Sequence, residues 1–430
     1  MSAPADRTPA DRAPADRAPA DRAPADRTPA DRTPAAGARA GSPPAATTPA
    51  LASVIVIGTG LIGTSVALAL RPRGVTVWLA DSDPAAARLA ADIGAGTMLP
   101  GDVPAGPPPG GPVDVAVLAV PPQAVAPTLA RAQAAGLARW YTDVASVKTL
   151  PVGQAQAAGC DMASYVPGHP LSGRERSGPA AARADLFLGR PWVICPSPPV
   201  PAAGLAAVGA LARACGAEPA EVGAAEHDRW VALVSHAPHV LSAAMAARLA
   251  DASDGALSLA GQGLRDVTRI AAGDTGLWTQ ILAANAAPVA DVLAAVAADL
   301  AAVAEALADT AQAPGAGPGT GTGPGTGAPG PDLKVLAALL EQGGAGVARI
   351  PGKRGAPARA EAAVQVVIPD RPGELARLFQ AAGEAGVNIE DIGIEHSPGL
   401  PVGVAELTVH PEAVGRLTEA LAANGWPVRR

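Results

Sequence analysis

Aromatic residues and cysteines are scarce in this 430-residue chain. Aromatic side chains make up 2% of the sequence, whereas 49% of its residues are apolar. Alanine, valine and leucine must therefore form most of the cores. The three cysteines, Cys160, Cys195 and Cys215, are odd in number and form no CxxC pair. This argues against a disulfide framework and favours reduced thiols in the cytoplasm.

Three further absences narrow the class of protein. The formal net charge is −7, which argues against nucleic acid as a partner. No apolar run is expected to reach the roughly 18 residues of a membrane span. The N-terminus has neither the basic nor the apolar segment of a secretory signal. We therefore expect a cytoplasmic protein with about two to four domains.

The first half of the chain divides into a tail and an α/β domain. Residues 1–50 form the tail, and residues 3–34 within it repeat the units APADR and TPADR. Proline in each unit excludes a continuous helix, which predicts a disordered tail, with a docking arm as the alternative. In residues 51–222 the runs SVIVIG, VTVWLA, DVAVLAV, WYTDVAS and PWVICP alternate with alanine-rich stretches of helical spacing. This alternation predicts a Rossmann-type, doubly wound parallel sheet that binds a dinucleotide.

The second half of the chain contains a predicted helical domain, a linker and a small α+β domain. Residues 223–311 have no strand pattern and are predicted to form an all-helical domain. A glycine- and proline-rich linker (312–331) and a connecting helix and loop (332–361) follow. Residues 362–430 read strand, helix, strand, strand, helix, strand, which predicts a small ferredoxin-like α+β domain.

A GxGxxG motif marks the expected dinucleotide site. Gly58, Gly60 and Gly63 follow a predicted strand and open a predicted helix, which is the context that this motif requires. The tight turn, the approach of the backbone to a pyrophosphate and the helix–strand packing each need glycine. Leu61 and Ile62 lie between the glycines at the helix start, where free N–H groups attract phosphate.

Asp81 ends the second strand and is predicted to bind the adenosine ribose. A carboxylate there bonds the ribose hydroxyls and repels a 2′-phosphate, and ADSDP has no arginine to receive that phosphate. The sequence therefore favours NAD over NADP. The alternative is that Asp81 caps a helix before Pro84, but Ser82 and Asp83 are better placed for capping.

The stretch VPGHPLSGRERSG, residues 166–178, places one histidine in a loop shaped by glycine and proline. His169 precedes a proline, and Arg174, Glu175 and Arg176 follow between glycines. The three charged residues are expected either to touch a substrate or to brace the loop.

A second cluster lies in the predicted helical domain. The spacing puts Ser235 and His239, and also His236 and His239, on one face of a helix. Pro238 is expected to kink that helix. The histidines have no HExxH pattern or nearby cysteines, so no metal site is predicted. His227, in the same domain, is interpreted as a core or surface residue.

Two arginines follow in GLRDVTRIA. Arg265 and Arg269 lie four residues apart, with Asp266 three residues before Arg269. A guanidinium that a carboxylate orients is a suitable receptor for a carboxylate ligand.

With these motifs the chain resembles the prephenate dehydrogenase family, including its arogenate-using members, over about residues 53–310. The resemblance rests on GTGLIGTS, TDVASVK, GHPLSGRERSG, VSHAPH and GLRDVTRIAAGDTGLW, in that order. The family often has glycine at Ala145 and methionine at Leu171; both replacements here are small or apolar, so we expect activity to remain. The C-terminal region resembles an ACT domain through DRPGELARLF and AGVNIEDI.

The resemblance implies an NAD-dependent oxidative decarboxylation of prephenate to 4-hydroxyphenylpyruvate, or of arogenate to tyrosine. It implies that His169 is the general base and that Ser146 bonds this histidine and the reacting hydroxyl. Lys148 is expected to support the loop. The other substrate-binding residues that the resemblance and the spacing imply are Arg269, Asp266, Ser235 and His239.

The resemblance also implies a homodimer, formed through the helical domain. The ACT-like domain is expected to bind an amino acid, tyrosine, around Gly373 and Asn388; the alternative is a dimerisation module without ligand.

Two rival functions remain open. A hydroxy-acid dehydrogenase usually has a catalytic lysine in its helical domain, but residues 224–310 contain no lysine. A non-catalytic sensor of NAD and amino acids would keep the GxGxxG motif but would not need His169, Ser146 and Arg269 together.

Overall fold

A computed structural model describes residues 51–173, 177–312, 333–350, 362–396 and 401–429. The predicted tail, the predicted linker after residue 312 and the charged residues Arg174, Glu175 and Arg176 lie outside these ranges.

A five-stranded parallel sheet forms the centre of the nucleotide-binding part. Its strands are β1 (Ser53–Ile57), β2 (Thr76–Ala80), β3 (Thr97–Met98), β4 (Val113–Leu118) and β5 (Ala138–Asp143). The helices that connect or follow them are α1 (Leu61–Leu70), α2 (Pro84–Asp92), α3 (Pro122–Ala134) and α4 (Thr149–Ala157). The order β3-β2-β1-β4-β5 confirms the predicted doubly wound sheet. The strand order reverses between β1 and β4, where such sheets bind ligands at their carboxyl ends.

Both faces of this sheet are covered. Along β1, Val54 and Val56 belong to one apolar cluster, and Ile55 and Ile57 belong to the other. A parallel strand that is buried on both faces needs a continuous apolar run, and VIVI supplies one. The covered sheet gives the nucleotide loop a rigid support.

A separate three-stranded sheet follows, which the sequence did not predict. Its elements are β6 (Gly168–Pro170), β7 (Pro191–Ile194), α5 (Ala202–Ala214) and β8 (Glu218–Glu221). The run PWVICP was expected in the parallel sheet, but β7 instead pairs antiparallel with β6 and parallel with β8. These two neighbours occupy both hydrogen-bonding edges of β7. Beyond β5 the larger sheet continues only as an isolated bridge between Tyr141 and Tyr165 in the described chain.

The next part is entirely helical, as predicted. Its helices are α6 (Ala224–Val231), α7 (Ala237–Ala247), α8 (Asp254–Leu257), α9 (Gln262–Thr268), α10 (Thr275–Ala284) and α11 (Ala286–Gln312), and beyond the predicted linker comes α12 (Lys334–Ala348). A π-helical turn, Ala232–His236, joins α6 to α7, and a 3₁₀ turn, Arg269–Ala272, follows α9.

Two helical stretches are long and apolar enough to span a membrane by length and composition, Ala224–Ala247 and Ala286–Ala311. The expectation that no apolar run reaches this length was therefore wrong, because alanine-rich helices with few charges are also long and apolar enough to meet this criterion. About a third of the first window is buried and only 6% of the second. An apolar helix this exposed needs a covering surface.

The C-terminal part forms a four-stranded antiparallel sheet with two helices. Its elements are β9 (Ala362–Pro369), α13 (Glu374–Glu384), β10 (Ile389–His396), β11 (Val402–Val409), α14 (Val414–Ala423) and β12 (Val428–Arg429). The order β10-β11-β9-β12 is that of a ferredoxin-like fold, which confirms the predicted α+β arrangement. Leu378 and Leu417, one on each helix, are fully buried against the sheet.

Candidate active site

The turn between β1 and α1 has the shape that a dinucleotide needs. Gly58 has φ +99°, and a Cβ on it would lie 2.2 Å from the Ala119 carbonyl oxygen. A Cβ on Gly63 would lie 1.9 Å from the carbonyl oxygen of Gly58. Gly60, by contrast, has open space where a side chain would stand. Gly58 and Gly63 therefore permit the close packing of this turn, and Gly60 leaves room for a ligand.

The start of α1 offers unpaired N–H groups beside that space. Gly60 is the N-cap residue and provides no side-chain cap. The first N–H to join the helical pattern here is that of Thr64, which donates to the Gly60 carbonyl. Helix geometry leaves the N–H groups of Leu61 and Ile62 without a carbonyl acceptor. These residues fit the pyrophosphate of a dinucleotide, because a helix N-terminus attracts anions.

Asp81 lies at the carboxyl end of β2, beside the glycine turn. Its Oδ2 accepts hydrogen bonds from the N–H and the hydroxyl of Thr59, at 2.5 and 2.8 Å. Its Oδ1 accepts from the N–H of Asp83 at 2.8 Å. Asp83, not Asp81, caps α2 by accepting from the N–H of Ala85. The carboxylate of Asp81 is thus held where the ribose of a bound dinucleotide would lie.

His169 lies on β6, half-buried, in the strand that pairs with β7. Its Nδ1 is 2.8 Å from Nε2 of His227. Burial holds the pKa of His169 well below its ordinary value, and the neighbouring side chains of His227 and Lys148 act in the same direction. A neutral imidazole at pH 7 can accept a proton.

Buried polar residues support the strand of His169 from beneath. Lys148 and Asp143, both fully buried, form an ion pair. Lys148 Nζ also donates to the Gly168 carbonyl at 2.6 Å, and the Tyr165 hydroxyl donates to Asp143 at 2.7 Å. The backbone next to His169 is therefore fixed by a satisfied buried network.

Ser146 is half-buried in the loop between Asp143 and Lys148. Within the described ranges no hydrogen bond joins it to His169, whose Nδ1 is taken by His227 instead. The predicted hydrogen bond between Ser146 and this histidine is therefore not formed in this structure, and the role of Ser146 stays a prediction.

His227 and Asp228 are functional candidates that the sequence reasoning missed. His227 was interpreted as a core or surface residue, and it is indeed buried, with 2% exposure. Its Nδ1 lies 2.8 Å from Oδ1 of Asp228. The separation of 58 residues between His169 and His227 left no local signal, and the adjacent His-Asp pair was the only hint.

The π-helical turn changes which residues share a face. The four-residue spacing predicted Ser235 and His239 on one face, but Ser235 is exposed and His239 is buried. His236 and His239 are both buried and both contact Trp278. Pro238 has no N–H, so the chain before it widens to a π-turn and rotates Ser235 outward. The interpretation of a shared face therefore holds for the two histidines and is wrong for Ser235.

Trp278 of α10 and Asn285 contact His236 and His239. The rings of His239 and Trp278 stack at 3.6 Å, 12° apart. Asn285 Nδ2 donates to Nδ1 of His236 at 3.1 Å and to the Asp228 carbonyl at 2.8 Å. Burial lowers the pKa of His236 to about 4, so it is neutral and can accept this bond at pH 7. A continuous polar network therefore runs from His169 to the helical part.

Arg269 begins the 3₁₀ turn that packs against α7. Gly273, just after this turn, lies against the stacked pair, because a Cβ there would be 2.9 Å from His239 and 2.6 Å from Trp278. The turn that begins at Arg269 therefore packs on α7, and its C-terminal end lies against His239. Asp266 is exposed and accepts a hydrogen bond from Gln262 at 2.9 Å.

The predicted effector residues lie in the C-terminal part. Gly373, with φ +88°, is the N-cap residue of α13, and Asn388 donates to Glu390 just before β10 begins. A cavity of about 330 Å³ lies elsewhere in this part, lined by Glu374, Arg377 and Trp426 among others. Neither predicted effector residue lines it.

Comparison with known proteins identifies relatives over most of the chain. Residues 66–220 match the family model described as prephenate dehydrogenase, nucleotide-binding domain, and residues 223–313 match prephenate dehydrogenase, dimerization domain. A probable prephenate dehydrogenase, NovF, from Streptomyces niveus is 42% identical over 373 residues, which cover 86% of this chain and 98% of that protein. A cyclohexadienyl dehydrogenase from Zymomonas mobilis is 30% identical over 55% of this chain and 82% of its own length.

Solved structures show the same fold. Prephenate dehydrogenase from A. aeolicus, in complex with hydroxyphenyl propionate and NAD⁺, has a TM-score of 0.56 and 21% identity. The alignment covers 69% of this chain and 98% of that one. Arogenate dehydrogenase from Synechocystis has a TM-score of 0.52 and 23% identity, over 69% of this chain and all of its own.

Proposed function

The chain belongs to the prephenate dehydrogenase family, and from this membership we infer that it is an NAD-dependent prephenate dehydrogenase. It converts prephenate to 4-hydroxyphenylpyruvate and CO₂, a step of tyrosine biosynthesis. The observation that carries this inference is the half-buried, neutral His169, which lies in a rigid strand next to a nucleotide-binding sheet.

NAD, when bound, accepts the hydride from C4 of the substrate ring. The open space at Gly60 and the free N–H groups of Leu61 and Ile62 support their role in holding its pyrophosphate. The carboxylate of Asp81 supports NAD over NADP, because it would repel a 2′-phosphate.

We propose that His169 accepts the proton of the C4 hydroxyl as the hydride leaves. The support is its neutral state, since a general base must be unprotonated at the working pH. Loss of the ring carboxylate as CO₂ then makes the ring aromatic, which drives the reaction forward. The phenolate oxygen takes back one proton, so the base ends the cycle as it began.

Arg269 is proposed to bind a substrate carboxylate, and His239 is proposed to line the pocket beside it. The support is that the turn starting at Arg269 packs on α7, which carries His239. Ser146 is proposed to contact the reacting hydroxyl. The support is that its loop is joined to β6, where Lys148 Nζ donates to the Gly168 carbonyl. Asp266 is proposed to orient Arg269, and Ser235 is proposed to line the pocket; both residues, like Arg269, are exposed in the single chain.

We propose that the enzyme is a homodimer through residues 223–313, which match the family's dimerisation domain. The exposed apolar side chains of α11, Leu300 and Leu307 among them, support this, because a second copy would cover them. A cytoplasmic location is proposed from the three free cysteines. Tyrosine binding near Gly373 and Asn388 is likewise proposed, on the ferredoxin-like fold of that part.

The activity is tested by the appearance of NADH when the purified enzyme meets prephenate or arogenate, with NAD and then NADP. We expect turnover of prephenate with NAD. A clear preference for arogenate would favour tyrosine as the direct product. The absence of NADH with both substrates would favour the non-catalytic sensor and contradict the proposal.

The role of His169 is tested with the variant His169→Asn. We expect unchanged NAD affinity and a kcat that is lower by roughly 10²-fold or more, because a positioned general base contributes roughly 10²–10⁴-fold. Near-normal kcat in a folded variant would show that another group takes the proton.

A further inference from the structure

Behind His169 lies a second polar pair that the reaction as described does not use. His227 and Asp228, on α6, are 2% and 3% exposed. Nε2 of His227 is 2.8 Å from Nδ1 of His169, and its Nδ1 is 2.8 Å from Asp228 Oδ1. The two imidazole rings meet edge to face, with their planes 76° apart. A helix of the helical part thus reaches the histidine of the α/β part.

Asp228 is an ionised acceptor. Its two oxygens accept the backbone N–H groups of Lys148 and Thr149, each at 2.8 Å, at the start of α4. Burial alone would raise the pKa of Asp228, but the hydrogen bonds from His227 and from this helix start outweigh it and lower the pKa. A helix N-terminus also favours negative charge beside it.

The donors and acceptors in the series of hydrogen bonds from His169 through His227 to Asp228 can be assigned by starting at Asp228. Because Asp228 is an acceptor, Nδ1 of His227 must carry the hydrogen. In a neutral imidazole the other nitrogen is then an acceptor, so Nε2 of His227 accepts from Nδ1–H of His169. His169 is thereby left with a lone pair on Nε2, which is the form that can take a proton from the substrate hydroxyl.

We propose that His227 and Asp228 are positioning residues that hold His169 in the tautomer with a hydrogen on Nδ1 and a free lone pair on Nε2. This inference rests on the proposed role of His169 as the base. When Nε2 takes the hydroxyl proton, His169 becomes an imidazolium whose Nδ1–H still points at His227. The negative charge of Asp228 offsets the new positive charge through the His227 ring, and the same Nε2 proton returns to the phenolate oxygen.

A matched pair of variants separates tautomer control from mere packing. In His227→Gln, the amide oxygen can accept from His169 while the amide N–H donates to Asp228, which preserves the direction of both bonds. His227→Leu fills a similar volume but can neither accept nor donate. His410→Leu, which removes an exposed histidine of the C-terminal part, serves as the control.

The first measurement reads the tautomer without any turnover. The chain has six histidines, so the ¹⁵N shifts and couplings of a histidine-labelled sample distinguish Nδ1–H from Nε2–H at His169. We expect Nδ1–H in the wild type, in His227→Gln and in His410→Leu, and Nε2–H or a mixture in His227→Leu. A wild-type His169 with its hydrogen on Nε2 would overturn the proposal, whether or not the enzyme turns over prephenate.

The second measurement divides the kinetic effect between kcat and KM. We expect His227→Leu to lower kcat by roughly 10²-fold, because a base in the wrong tautomer loses most of its contribution, with little change in KM for either ligand. His227→Gln should recover most of this loss. Equal kcat values for the two variants would overturn the proposal. If His227 only fills space, glutamine and leucine should replace it equally well, because the hydrogen bonds of the glutamine amide would then have no effect on kcat.

Discussion

The α/β part and the helical part of this protein bury their apolar residues to different extents. On β1, Val54, Ile55 and Val56 have no exposed surface. In the helical part, Leu259 is 85% exposed and Leu300 is 56% exposed. The sheet is covered on both faces within one chain, whereas the helices leave apolar surface exposed. The first part completes its core by folding, and the second leaves the surface that the proposed dimer would cover.

The two parts also differ in the burial of the charged side chains at the proposed site. In the α/β part, Lys148 and Asp143 form an ion pair with no solvent contact. In the helical part, Arg269 and Asp266 remain exposed in the single chain. Charge removal should therefore affect folding in the first part and ligand binding in the second.

The largest effect is expected from Lys148→Met. The variant leaves the buried carboxylate of Asp143 without its cation, and breaking a buried pair in this way costs about 3–5 kcal/mol. The measurement is the free energy of unfolding in urea. In the matched control, Arg131→Met, the pair with Asp102 is about half exposed, so we expect a loss below about 1 kcal/mol. Equal losses in both variants would contradict the difference between buried and exposed pairs.

An intermediate effect is expected when Leu300 and Leu307 of α11 are both changed to Glu. They lie seven residues apart on one helix, and burial of each leucine contributes about 1.5–3 kcal/mol. Loss of both should raise the dissociation constant of the dimer by at least about 10²-fold. Light scattering over a dilution series measures this.

The matched control for that variant lies in the α/β part. Leu188 is 68% exposed, and Leu188→Glu should leave self-association unchanged. An unchanged dissociation constant in the α11 double variant would mean that another surface joins the subunits. The exposed apolar residues of the helical part would then need another explanation.

The smallest of these effects is expected from Arg269→Lys. Lysine keeps the positive charge but loses the planar fork that binds a carboxylate through two bonds. We expect KM for the substrate to rise about tenfold, or about 1.4 kcal/mol, with a smaller change in kcat and normal NAD affinity. Arg265→Lys, one turn earlier in the sequence, serves as the comparison. A normal KM in Arg269→Lys with a raised KM in Arg265→Lys would show that Arg265 binds the substrate carboxylate instead.

Local patterns predicted the features whose residues are neighbours in the chain. Gly58, Gly60 and Gly63 lie within six residues, and the strand before them and the helix after them could be predicted with them. The helical character of residues 223–311 and the order of strands and helices along the C-terminal part were also predictable, because each element has its own periodicity. The placement of PWVICP was not, since the partner of a strand depends on which edges are free elsewhere.

The sequence by itself determined that this chain has a dinucleotide-binding sheet, a helical part and a histidine between a glycine and a proline, because glycine turns and apolar periods act over a few residues. The predicted loop around that histidine is instead strand β6. Only the tertiary structure decided the environment of that histidine. The partner of His169 lies 58 residues away on a helix of the other part, and a π-turn before Pro238 turned Ser235 outward. Hydrogen bonds between distant residues depend on distance and direction in space, which spacing along a chain does not specify.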